Sequence, residues 1–189
     1  MKIRLAHPLQ SDSIVDGEGL RTVVWTQGCS HNCPGCHNQK THSFTGGFLK
    51  EIEELKEEIR NLKNQDGITL SGGDPMFQID ACLEIAEFCQ SQNLNVWCYT
   101  GFTFEQLLVL SNKNPNLLKL LKNIDVLIDG RFKIEEKSFD VQFRGSKNQR
   151  IIDVQKSLEE NKAIEIPKYK VKEENDYLPS YQKEQYMFI

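Results

Sequence analysis

The chain has 189 residues, of which 26% are charged, and a formal net charge of −4 at pH 7. That length accommodates one domain with a sizeable core plus a tail, and it is short for two ordinary domains. The acidic balance argues against nucleic acid or an anionic membrane as main partner, since both reward a basic surface, and leaves a protein or a small molecule. Met1 to Leu20 holds no apolar run fit for a secretory signal and no later run approaches a membrane span, so the sequence predicts a cytoplasmic protein.

Taken in chain order, Arg21 to Thr26 is β-branched and aromatic and predicts a strand that runs directly into a cysteine-rich loop. Leu49, Ile52, Leu55, Ile59 and Leu62 recur at helical spacing among Lys and Glu, predicting an amphipathic helix closed by Asn64 to Gly67. Gly67 to Leu70 restarts as a short buried strand and ends on Ser71-Gly72-Gly73-Asp74-Pro75. Ile79 to Cys89 repeats the helical spacing, and Leu94 to Tyr99 predicts another strand. Phe104 to Leu110 and Asn116 to Leu121 are short helices; Ile124 to Ile128 is a fourth strand and Arg150 to Val154 a fifth. Strands alternating with helices predict right-handed βαβ units, a mostly parallel sheet and an α/β fold.

In such sheets ligands collect outside the carboxyl ends of the strands, and the cysteine loop, the Gly-Gly-Asp-Pro loop, Tyr99-Thr100-Gly101 and Asp129-Gly130-Arg131 all follow strands. The domain is expected to span residues 1–154. The tail from Gln155 to Ile189 mixes charge of both signs with Tyr169, Tyr177, Tyr181 and Tyr186, and predicts a partly ordered arm.

The loop Gly28 to Asn38 carries Cys29, Cys33 and Cys36 with no fourth cysteine beside them. Thiolates are the usual ligands of iron-sulfur clusters, and a four-iron cubane held by three cysteines leaves one iron open to a reactant. Spacing alone also permits a zinc knot with His31 or His37 as fourth ligand, or a three-cysteine electron carrier. Otherwise His31 reads as a solvated loop residue, and His7 and His42 carry no signal. Cys82, Cys89 and Cys98 read as small buried residues. Asp129 can equally end its strand and cap the turn at Gly130.

The Cys-x3-Cys-x2-Cys loop after a first strand and Gly-Gly-Asp-Pro after a second resemble the radical S-adenosylmethionine (SAM) superfamily. Asp16 to Arg21, Gly28 to Asn38, Ser71 to Pro75, Tyr99 to Phe102, Val126 to Phe132 and Phe143 to Gln149 are similar, within it, to the family that activates anaerobic (class III) ribonucleoside-triphosphate reductase. The resemblance covers Met1 to Val154. It implies an incomplete parallel (β/α) barrel, a [4Fe-4S] cluster on Cys29, Cys33 and Cys36, and SAM on the fourth iron. It further implies a low-potential electron donor such as flavodoxin, and the reductase as protein substrate, left with a glycyl radical. The organic and redox chemistry belongs to cluster and SAM, so no catalytic side chain is named.

Carried over residue by residue, the resemblance places Gly72, Gly73 and Asp74 at the SAM amino group, and Gly35, Cys36 and His37 on the adenine side. Tyr99, Thr100, Asp129 and Arg131 fall around the SAM carboxylate. His37 stands where the family usually has tyrosine, and Tyr99 where a related activase has an acidic residue. Phe143 to Gln149 and Asp16 to Arg21 are expected at the mouth where the reductase enters. Other glycyl-radical activases, such as that of pyruvate formate-lyase, usually have a longer chain, and 7-carboxy-7-deazaguanine synthase usually reads Gly-Gly-Glu-Pro.

Overall fold

A computed structural model describes residues 1–171 of the chain. Its strands are β1 (Lys2–Leu5), β2 (Gln10–Ser13), β3 (Arg21–Thr26), β4 (Phe48–Glu51), β5 (Gly67–Gly72), β6 (Asn95–Tyr99), β7 (Val126–Asp129) and β8 (Arg150–Asp153). The helices are α1 (Ile52–Arg60), α2 (Ile79–Ser91), α3 (Phe104–Ser111), α4 (Pro115–Lys122) and α5 (Val154–Glu160). All the strands belong to one sheet in the order β4-β1-β3-β5-β6-β7-β8, with β2 also paired to β3.

The centre of the sheet, β3-β5-β6-β7, is parallel, with Arg21 opposite Gly67 and Thr26 opposite Gly72 at the two ends of the β3–β5 ladder. These four strands and their helices form an α/β arc, an incomplete barrel. The outer strands are antiparallel, so the sheet is mixed: β8 runs against β7, and β1 against both β3 and β4. The sequence pattern did not predict β1, β2 or β4, and Leu49, expected in the first helix, belongs to β4.

Period-two alternation sorts the strands between two faces. Val96, Cys98, Leu127 and Ile152 point to the face covered by helices, in one core with Leu55, Ile59, Ile85, Leu107 and Leu120. Trp97, Val126, Ile128 and Ile151 point to the other face, where Tyr169 packs on them. Cys82 and Cys89 of α2, like Cys98, are fully buried and serve as core residues. Local signals set the helix ends: Thr103 and Gln106 form a reciprocal capping box on α3, and Asn114 caps α4 ahead of Pro115.

Residues 161–171 return along the sheet. The Ile166 amide donates to the Ile151 carbonyl at 2.9 Å, and Tyr169 is buried against Trp97 and Phe143. Lys168 and the Tyr169 hydroxyl both hold the Glu18 carboxylate, so this segment is fastened to the loop before β3. Tyr177, Tyr181 and Tyr186 of the expected arm lie outside the described residues.

Candidate functional site

The carboxyl ends of the parallel strands open onto a cavity of about 740 Å³. Cys29, Cys33 and Cys36 line it, with Ser71, Gly72 and Gly73 from the end of β5, Tyr99, Thr100 and Gly101 from β6, and Gly130 and Phe132 from β7. The other wall comes from Ile14, Val15 and Asp16 and from residues 141–145. Six elements far apart in sequence thus meet at one rim.

The cysteine and glycine loops are stitched together through the backbone. Gly73 N donates to Thr26 O at 2.8 Å and Asp74 N to Gly28 O at 3.0 Å, while Cys29 N donates to His42 O at 3.0 Å. A Cβ built on Gly73 would come within 2.4 Å of the Gly28 carbonyl oxygen, so glycine is required there by the approach of another backbone. Gly72 has φ +106, in the region that favours glycine.

Asp74 is a hub. Its Oδ2 accepts from His31 Nε2 at 2.8 Å, Thr100 Oγ1 at 3.0 Å and Gly101 N at 2.9 Å, and its Oδ1 from Met76 N at 2.9 Å. The Asp74 side chain is 1% exposed and that of His31 5%. His31 is therefore no solvated loop residue. Phe102 and Phe77 flank its ring, at centroid distances of 4.6 and 5.7 Å.

Of the residues singled out from the sequence, the structure brings Cys29, Cys33, Cys36, His37, Gly72, Gly73 and Thr100 to the cavity wall. The others sit elsewhere. Asp74 lies behind the wall in the hub just described. Asp129 is 1% exposed, and its carboxylate receives Arg150 Nε at 3.0 Å and Phe104 N at 2.7 Å. Arg131 borders a separate groove beside α3, with Glu105 and Val109. Gly35, at φ +71, packs toward Ile134 and Phe132. The His37 ring lies 5.1 Å from that of Phe132, centroid to centroid, with the rings inclined at 48°.

Within the stretch expected at the mouth, Asp16 lines the cavity, whereas Arg21 is buried at the start of β3. Its guanidinium donates to Thr69 Oγ1 (2.7 Å), Ile68 O (2.6 Å), Asn95 O (3.0 Å) and Glu18 O (3.1 Å) and lies over the Trp97 ring. Burial pushes its pKa down to about 10, leaving it charged at neutral pH. Phe143 and Arg144 line the cavity. Arg144 donates to Gln149 O at 3.0 Å and to Tyr169 O, and the Tyr99 hydroxyl donates to Phe143 O at 2.7 Å. Sequence reasoning passed over His42, which also lines the cavity.

Burial raises the Cys29 thiol to about 11 and also raises Cys33, so taking up metal at these thiols must displace protons. The Asn38 amide points to Cys36 Sγ at 3.4 Å, a contact of the kind that tunes ligand sulfurs. Among the described residues no set of three or more His, Cys, Asp or Glu side chains converges to hold a single metal ion. In a zinc knot the fourth donor would have to come from His31 or His37, and the His31 Nε2 is engaged by Asp74. A cubane takes one cysteine per iron, and all three thiols border the one cavity.

A family described as "4Fe-4S single cluster domain" matches residues 15–152. Anaerobic ribonucleoside-triphosphate reductase-activating proteins are similar over most of the chain. That of Haemophilus influenzae is 34% identical over 144 residues, 72% of this chain and 89% of the relative. That of Vibrio cholerae is 34% identical over 151 residues, 76% of this chain and 94% of the relative. That of Escherichia coli is 31% identical over the same coverage. Among solved structures, QueE from Escherichia coli aligns with 54% of this chain and 53% of its own, at 14% identity and a TM-score of 0.46.

Proposed function

The chain belongs to the family of anaerobic ribonucleoside-triphosphate reductase-activating proteins, and on that premise we propose that its cavity is where SAM is reductively cleaved to activate the reductase. Cys29, Cys33 and Cys36 would hold the [4Fe-4S] cluster. Bound there, it would supply the single electron needed to split SAM into methionine and the 5'-deoxyadenosyl radical, the species that would take a hydrogen atom from a glycine of the reductase.

The protein's part is positioning and exclusion of water. Backbone groups of Gly72 and Gly73, at the cavity wall, receive the SAM ammonium. The His37 ring, held beside Phe132, receives the adenine together with the backbone at Gly35 and Cys36. The Thr100 hydroxyl donates its proton to Asp74, so towards the methionine end it offers an acceptor oxygen held in a fixed direction, suited to the ammonium. Asp129 serves by anchoring Arg150 and the first turn of α3 behind the wall. Arg131, in its separate groove, is assigned no contact with SAM.

Ile14 and Val15, 71% and 69% exposed at the cavity edge, receive the glycine-bearing segment of the reductase. A low-potential donor such as flavodoxin feeds the cluster, and the reduced thiols of such a site suit the cytoplasm.

The observation that carries this reading is the meeting of three cysteines and the Gly72-Gly73 turn on one cavity. Protein reconstituted without oxygen is assayed for iron, sulfide and zinc, then for 5'-deoxyadenosine after reduction with SAM present. Iron and sulfide in near-equal amounts, with nucleoside formed, is the expected result. One equivalent of zinc without sulfide would contradict it.

A further inference from the structure

His31 lies between Cys29 and Cys33, yet its ring reaches across to the loop after β5. Three observations single it out. Its Nε2 meets Asp74 Oδ2 at 2.8 Å with both side chains almost wholly buried. The same carboxylate oxygen accepts the Thr100 hydroxyl and the Gly101 amide, so one acceptor gathers the ends of three strands. The pocket for the ring is shaped for it as well: a Cβ on Gly101 would fall 2.4 Å from His31 Cδ2. Facing an acceptor-only carboxylate, Nε2 carries the proton.

We infer that His31 is a positioning residue whose hydrogen bond to Asp74 locks the cysteine loop onto the loop carrying Gly72 and Gly73. A cysteine loop with many polar and small residues has few apolar contacts of its own to hold it. Among its residues, His31 alone carries a side chain packed between Phe77 and Phe102. The lock therefore sets the cysteine thiols and the glycine backbone in one register. Its consequence for SAM rests on the reading of the cavity given above, whereas the lock itself is a property of the chain without metal.

The test uses His31→Ala, His31→Gln and His31→Phe. A glutamine Nε2 can take the place of the imidazole Nε2 and still donate to Asp74, whereas phenylalanine keeps the ring between its aromatic neighbours but donates nothing. In the metal-free protein, amide hydrogen exchange of residues 28–38 and of Gly101 should quicken about tenfold in His31→Ala and His31→Phe, and return toward wild type in His31→Gln. In the reconstituted protein, the change that SAM produces in the EPR spectrum of the reduced cluster should vanish in His31→Ala and His31→Phe. The KM for SAM should rise about tenfold in both, and His31→Gln should retain the wild-type response.

If His31→Ala does not fold, His31→Phe decides. Wild-type exchange and a wild-type SAM response in His31→Phe overturn the inference, and so does a glutamine variant as impaired as alanine. A wild-type protein with no spectral response to SAM would instead overturn the proposed function, and the exchange measurement would still decide the lock.

Discussion

Gly73→Ala probes the contact on which the cavity depends. Its backbone needs no glycine for conformational reasons; space alone forbids a side chain. The added Cβ would sit 2.4 Å from Gly28 O, 2.7 Å from Gly28 C and 2.9 Å from Gly28 N, where ordinary contact begins near 3.4 Å. All three atoms are backbone, so no side chain can swing aside, and the two loops must part by about 1 Å in a densely packed wall. That motion strains the Gly73 N to Thr26 O and Asp74 N to Gly28 O hydrogen bonds. At about 0.5–1.5 kcal/mol each, the expected loss of stability is about 1–3 kcal/mol. A displacement of about 1 Å between reacting partners costs on the order of 100-fold in rate, so SAM cleavage should fall much further than stability does. Urea unfolding of the metal-free protein gives the first quantity, and 5'-deoxyadenosine formation at saturating cluster load gives the second. Wild-type stability together with wild-type cleavage in Gly73→Ala would refute the claim that these loops are held in contact by the missing Cβ.

Arg21→Met should destabilise the metal-free protein by about 3–5 kcal/mol, because it strips donors from buried oxygens of Thr69, Ile68 and Asn95. Arg21→Lys should recover only part of this, and a loss below about 1 kcal/mol by urea titration would remove Arg21 from the structural framework. Glu105 accepts both Arg150 amino groups, which hold its carboxyl down to about 2. The stabilisation is therefore present above its ordinary pKa of 4.5 and lost as pH falls toward 2. Its side chain is 55% exposed, so solvent screening reduces the contribution to about 1 kcal/mol. Glu105→Gln should show that deficit at pH 7 and progressively less of it below pH 4.5; a gap that widens on acidification would contradict this assignment. The Ile14→Asp, Val15→Asp double variant should lower the glycyl radical yield on the reductase by about tenfold more than it lowers SAM cleavage. Parallel losses in the two assays would argue against a docking role for that edge.

The central strands were legible because β3, β5, β6 and β7 are short apolar or β-branched runs covered on both faces. Of the antiparallel strands, β8 was legible, but β2 reads Gln-Ser-Asp-Ser with one buried residue and β4 has none buried, so neither of these two has a hydrophobic period to detect. α5 escaped for the same reason, since only Val154 and Ser157 are buried. In the site, both cavity loops announce themselves by local spacing. The bond from His31 to Asp74 spans 43 positions and depends on how two loops meet, which no local pattern encodes. Asp129 misleads in a comparable way. It ends its strand beside the cavity, but the antiparallel register sets it opposite Arg150, and the ion pair turns its carboxylate to that partner.

The most direct test of the account mixes the reduced, reconstituted protein with SAM and anaerobic ribonucleoside-triphosphate reductase without oxygen, and follows the EPR spectrum alongside 5'-deoxyadenosine. A glycyl radical signal on the reductase, growing in step with the nucleoside and absent when Cys29, Cys33 or Cys36 is replaced by alanine, is the predicted result. Nucleoside formed with no radical on the reductase would contradict the assignment of that protein as the substrate.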